Sequence, residues 1–277
     1  GEIGRIWLVA VGKAARPMAT AAALMLGERL HAGVVVAPEV GVAPALAGLH
    51  YYSAGHPLPD ERSIAAAQQV AALLAHTQPA DLVLVLISGG GSALLSLPVP
   101  GVTLADLQAL TRQLLACGAP IHAINCLRKH LDQIKGGGLA HMAAPAHLLT
   151  LVLSDVVGNP LDVIASGPTV PDSTSFADAL AVIERYDLAA TLPPAIRDHL
   201  QRGRAGQGAD TPGPAAACFD RATTLLVGSN LHAAQAAQRV RHHPLARAHP
   251  ARGRAVALQR RQRRLRPLLP RGGGVHV

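Results

Sequence analysis

The sequence predicts an α/β fold in which a mostly parallel sheet carries helices on both faces. Three observations lead there. Ile6–Val11, Leu82–Ile87 and His147–Leu153 are short, largely apolar runs, as expected of strands buried on both faces. An Ala-rich stretch of high helix propensity separates the first run from another at Gly33–Ala37, so the chain opens strand–helix–strand. Hydrophobic residues make up 49% of the chain and aromatics only 2%, which leaves Ala, Val, Leu and Ile to build the core. A length of 277 residues suffices for one large or two ordinary domains.

Each element follows from local chemistry. After Ile6–Val11 come Gly12 and Lys13 and a helix to about Leu30, with Pro17 in its first turn, where a missing N–H costs little. His50–Asp60, with two prolines and a glycine, reads as a loop, and Asp60 caps a helix from Glu61 to about His76. The strand from Leu82 runs into Ser88-Gly89-Gly90-Gly91-Ser92, and Ala93–Leu95 reads as the start of a helix. Thr103, with Asp106 three residues on, caps the next helix, which ends near Gly118. The segment from Ile121 to Lys135 reads as a helix broken by Gly136–Gly138, with Asn125, Arg128, Lys129, Asp132 and Lys135 along one polar face. Beyond His147–Leu153 lie a long loop from Ser154 to Asp172, helices at Ser175–Tyr186 and Pro194–Arg202, a Gly/Pro/Ala-rich linker at Gly203–Ala217 and a last strand at Thr223–Val227.

Charge divides the chain in two. Residues 1–220 hold 13 Lys and Arg against all 17 acids, whereas residues 221–277 hold 12 arginines and no acid. Cys117, Cys126 and Cys218 match no metal-ligand spacing, which suits a reduced, cytoplasmic protein. No stretch approaches the length of a membrane span.

The glycine turn at Ser88–Ser92 is the leading candidate for a site. Glycines at the carboxyl end of a buried strand let backbone N–H groups and a following helix dipole meet an anion, most often phosphate. The three lysines of the chain, Lys13, Lys129 and Lys135, all lie beside a glycine turn, and Arg128 adds a planar fork suited to phosphoryl groups. Gly12-Lys13 is not a P-loop, because no glycine stands five residues earlier and Ala14 replaces the magnesium-binding hydroxyl. Asp155, at the end of a strand, is placed either to bind a metal or to accept a proton. His56 and Ser166 lie in loops that offer further polar groups.

Five segments, GKAARPMA, SAGHPLPD, LISGGGSALL, INCLRKHLDQIKGGGLA and LSDVVGNPLDVIASGPTVPD, together resemble the glycerate 2-kinases of the bacterial and animal type, some of whose relatives carry a hydroxypyruvate reductase label. The resemblance spans about residues 6–236 and implies a Rossmann-like domain, ATP and Mg2+ as cofactors, and phosphorylation of D-glycerate to 2-phosphoglycerate. It implies catalytic roles for Lys13, Arg128 and Asp155, with Asp155 also the metal ligand. Cofactor contacts then fall to Ser88, Gly89, Gly90, Gly91 and Ser92, and substrate contacts to Asn125, Lys129 and Ser166. The expected organisation is a domain over 1–237, slightly shortened at its start. An Arg/Pro/His-rich tail over 238–277, expected to be disordered and to read like a shifted frame, stands where the family has a second domain. Weak or absent turnover is the matching expectation. Expected partners are ATP and D-glycerate, nucleic acid without sequence preference through the arginines, and a second copy in a homodimer. An oxidoreductase is disfavoured, since VGKAAR replaces the dinucleotide fingerprint after the first strand.

Overall fold

The computed structural model describes residues 3–39 and 46–242. The chain divides into two compact units at the Ser229–Asn230 junction. The first is built on six strands: β1 (Ile6–Val11), β2 (Leu30–Ala37), β3 (Leu49–Ser53), β4 (Leu82–Ile87), β5 (His147–Ser154) and β6 (Ala222–Ser229). Every pairing is parallel and the order is β3-β2-β1-β4-β5-β6. This is the doubly wound order in which the chain reverses direction across the sheet between β1 and β4, leaving a crevice at their carboxyl ends.

Alternation along β1 separates the two faces. Trp7, Val9 and Val11 pack with Ala66, Ala67, Val70 and Leu74 of α2 (Glu61–Leu74) and with Leu139, Ala140 and Ala143 of α6 (Gly138–Ala143). Leu8 and Ala10 pack with Ala15 and Ala19 of α1 (Ala15–Leu26). A separate apolar cluster joins α4 (Leu104–Ala116), α5 (Ile121–His130), α7 (Phe176–Arg185) and α8 (Pro194–Arg204). Capping boxes at Asp60, Thr103 and Ser175 start α2, α4 and α7, each contributing about 1 kcal/mol.

Four expectations need correction. Leu49–Ser53 is a strand rather than part of a loop: it pairs with β2 at the sheet edge, and the loop begins only at Ala54. The helix after β4, α3 (Gly91–Leu94), is a single turn, so a helix dipole adds little there. α5 stops at His130, so Asp132 and Lys135 lie beyond it; with Asn125 and Lys129 they are buried, at 3–4% exposure, instead of forming a solvated face. The Gly203–Ala217 segment is no free linker. α8 runs to Arg204, Asp210 accepts from the Phe176 amide at 3.2 Å, and Thr211 donates to Asp172 at 3.1 Å.

Of the second unit, helix α9 (Asn230–His242) is described. The arginine-rich segment expected to be disordered and to bind nucleic acid lies, from residue 243, outside the described residues. Among the described residues no helix is long and apolar enough to cross a membrane.

Candidate active site at the switch point

The ends of β1 and β4 abut in register, Val11 opposite Ile87, which sets Gly12-Lys13 against the glycine turn. Ser88 ties the two together. Its amide donates to Val11 O at 2.9 Å, its Oγ accepts from the Ala14 amide at 2.9 Å, and the Lys13 amide donates to Gly89 O at 2.9 Å. Gly12, at φ 122°, passes so close to Ser88 that a Cβ there would strike its hydroxyl. The Ser88 side chain is 2% exposed and engaged in this junction, outside the lining of the cavity beside it.

That cavity, about 310 Å³, opens over the glycine turn. Gly89–Ser92 form one wall, and Arg128, Asp155 and His56 supply polar groups around it. Leu107, Leu110 and Leu114 of α4 form an apolar wall, which no local sequence signal marks as part of a site. Gly89 lies directly against the Asp155 carboxylate. A Cβ on Gly90, whose φ is 87°, would meet His56 Cδ2 at 2.9 Å and Lys13 Cε at 3.5 Å. Lys13, His56 and Asp155, from three separate segments, therefore converge on one turn; Arg128 lines the cavity over it, and Lys13 lies outside that lining. His56 was visible in the sequence only as a loop histidine; its place here depends on a loop folding over the end of β4.

Among the described residues no backbone carbonyl accepts from the amides of Gly90, Gly91 or Ser92, as expected of the opening of a turn. Arg128 is half-buried and, among the described residues, forms no ion pair within 4.0 Å. Burial holds its pKa below the ordinary value, opposed by the Asp132 carboxylate. A guanidinium nevertheless stays charged, so a partly desolvated cation stands here with no ion pair of its own among the described residues, the Asp132 carboxylate that acts on it being paired with Lys135. It is suited to a bidentate carboxylate or phosphate partner.

The other candidates lie behind the cavity wall. Lys129 pairs with Asp172 at 3.2 Å and with Asp162 at 3.8 Å, at 4% exposure, and does not line the cavity. Asn125 and Ser166 sit beneath Ser92: Ser166 Oγ is 2.8 Å from Ser92 Oγ and donates to Asn125 Oδ1 at 3.0 Å. Ala165 and Ser166 hold left-handed φ values of 52° and 61°, a strain on the order of 1–3 kcal/mol each. The surrounding hydrogen bonds maintain it, with the amides of Gly136 and Gly137 donating to Ser166 O and Gly167 O at 3.0 and 2.8 Å.

Among the described residues no three His, Cys, Asp or Glu side chains form a metal cage. Asp155 beside the glycine turn is instead compatible with a Mg2+ ion held by one carboxylate together with phosphates of a bound substrate, the usual arrangement for this ion.

A family described as a domain of unknown function (DUF4147) matches residues 1–201. A D-glycerate 2-kinase of Thermotoga maritima is 48% identical over 187 residues, covering 68% of this chain and 45% of that protein. A glycerate 2-kinase of Pyrococcus horikoshii is 43% identical over 208 residues, covering 75% and 46%. The crystal structure of a glycerate kinase from Thermotoga maritima superposes with a TM-score of 0.76 at 40% identity, over 84% of this chain and 53% of that one. The chain thus spans about half the length of the curated relatives it matches. Sequence and fold agree: the chain belongs to the DUF4147 family and is related to the glycerate 2-kinases.

Proposed function

We propose that this site serves ATP-dependent phosphorylation of D-glycerate to 2-phosphoglycerate. The observation that carries the reading is the half-buried Arg128, without an ion-pair partner among the described residues, sharing a cavity with the glycine turn and Asp155. Phosphoryl transfer asks a protein mainly to position two anions and offset their charge. The amides of Gly90, Gly91 and Ser92 suit the ATP phosphates, and Lys13 and Arg128 offset charge on the transferred group. Asp155 offers carboxylate oxygens to Mg2+ or to the glycerate hydroxyl. When bound, Mg2+ neutralises charge on the phosphates. The choice of acid, and of its 2-hydroxyl, rests on the names of the relatives. A domain over 1–237, followed by a tail over 238–277, is the organisation proposed with it.

Nucleotide binding is the direct test, because it depends on the described site alone. Calorimetric titration of the chain with ATP and magnesium is expected to give saturable binding. Lys13→Ala and Arg128→Ala are each expected to weaken it by about tenfold or more while leaving the thermal midpoint in place. Turnover by this chain is expected to be weak or absent, and whatever product forms from D-glycerate, identified by phosphorus NMR, is expected to be 2-phosphoglycerate. Absence of ATP binding at millimolar concentration, or exclusive formation of the 3-phosphate, overturns the reading.

A further inference from the structure

Ser92 lines the cavity and ends a hydrogen-bonded chain whose direction is fixed at its far end. Asn125, on α5, is 3% exposed, and its amide nitrogen donates to Val163 O at 3.4 Å. A carbonyl only accepts, so the nitrogen must face Val163 and Oδ1 must face Ser166. Ser166, fully buried, donates its proton to that oxygen at 3.0 Å. A hydroxyl has a single proton. The 2.8 Å contact between the two serines is therefore donated by Ser92 to Ser166. The cavity meets lone pairs on Ser92 Oγ rather than a proton.

Building on the phosphotransfer reading, we propose that Ser92 is a hydrogen-bond acceptor in the ligand site, receiving an O–H from the bound reactants, with Asn125 and Ser166 as positioning residues that impose this polarity. The O–H belongs either to the acceptor alcohol or to a water on the metal. Phosphate oxygens, which accept, gain nothing from Ser92; their donors are the glycine amides, Lys13 and Arg128. The site then separates into donors for the anionic groups and acceptors, Ser92 and Asp155, for hydroxyl or metal-bound water. This reverses the simplest expectation for a serine at the end of a phosphate-binding turn. It also explains why a buried asparagine and a serine in a strained backbone conformation stand behind it.

The test titrates the chain with ATP in EDTA, with ATP and magnesium, and with D-glycerate, lactate and 3-hydroxypropionate. The unmodified chain is expected to favour D-glycerate over at least one analogue that lacks a hydroxyl. Ser92→Ala is expected to leave metal-free ATP affinity within about twofold. It should weaken either D-glycerate or magnesium-ATP about tenfold, the first placing the substrate hydroxyl on Ser92 and the second a metal-bound water. Ser166→Ala, which frees the Ser92 proton to turn, should give the same selective loss, and Ser92→Thr should restore binding. Should Ser166→Ala unfold, the Ser92 pair decides alone. Equal loss for metal-free ATP would make Ser92 a phosphate donor and overturn the proposal, as would unchanged affinities throughout. If the unmodified chain binds neither ATP nor glycerate, the phosphotransfer reading fails first, and this proposal with it.

Discussion

Two of the chain's three Gly-Gly-Gly triplets lie among the described residues, each beside lysine in space or sequence, and they do opposite things. Gly89–Gly91 open onto a cavity, and the amides of Gly90 and Gly91 meet no described backbone carbonyl. Gly136–Gly138 are closed: their amides donate to Ser166 O, Gly167 O and Lys135 O. Lys135 and Asp132 line that same cavity, yet their polar groups are engaged: the Lys135 ammonium is bonded to Leu95 O and paired with Asp132, whose carboxylate also accepts from Ser96 Oγ and the amides of Leu97 and Ile134. Burial first, and then the Arg128 charge, pull the Lys135 pKa below its ordinary value, and the Asp132 carboxylate offsets this only in part. A glycine turn is thus no predictor of phosphate binding; what matters is whether its donors are already engaged. The second triplet nonetheless serves the first, because its amides hold the loop that carries Ser166 under Ser92.

The largest expected effect lies under the closed turn. Asp132→Ala leaves the Lys135 ammonium buried without its counter-charge, and breaking such a pair costs about 3–5 kcal/mol. Urea unfolding should show this loss, and a change below about 1 kcal/mol would mean that the pair is not the anchor described. The glycines themselves give the sharper contrast. A Cβ on Gly138 would strike the Gln133 carbonyl, a rigid backbone atom, whereas one on Gly89 would strike the Asp155 carboxylate, the end of a movable side chain. Gly138→Ala should therefore lower stability by about 1–3 kcal/mol. Gly89→Ala should leave the urea midpoint nearly in place while displacing Asp155, and cost about a hundredfold in turnover where turnover is measurable. The opposite pattern would exchange the roles of the two turns.

Much of the fold was legible because its signals are local. Ile6–Val11 and Leu82–Ile87 are apolar throughout, and Asp60 and Thr103 are followed three residues later by Ser63 and Asp106, which complete their caps. Leu49–Ser53 escaped notice because an edge strand of five residues, partly exposed and followed by a glycine and two prolines, carries no period of its own. The site was legible by parts. Lys13, the glycine turn, Arg128 and Asp155 stand out as residue types at element ends, but the burial of Lys129 and Lys135 was not, because a charged residue every third or fourth position looks the same on a solvated face. Its partners, Asp172 for Lys129 and Leu95 O for Lys135, lie about 40 residues away in the chain. The Ser92–Ser166 contact spans 74 positions and has no sequence signature at all.

The smallest effect extends the contrast to carboxylates, at the opposite end of the strand that carries the open turn. Asp81, 3% exposed at the start of β4, accepts from Arg5 N and Arg5 Nη2 at 2.9 Å, Trp7 Nε1 at 2.9 Å and Gln78 N at 3.0 Å. Burial raises its pKa, but the hydrogen bonds from Trp7, Arg5 and Gln78 outweigh it and hold the group below its usual 3.8. The folded value thus lies below the unfolded one, so the stability that Asp81 contributes is complete above 3.8 and is lost as pH falls through the folded value. Asp81→Asn should unfold at lower urea than the unmodified chain at neutral pH, and the gap should narrow as pH falls below 3.8. ATP affinity should not change, since Asp81 lies at the amino end of β4 and the glycine turn at its carboxyl end. A gap that stays constant down to about pH 3 would show that the carboxylate charge is not what those four donors stabilise. A loss of ATP affinity would show that the two ends of β4 are coupled, and the division between closed and open groups would no longer hold.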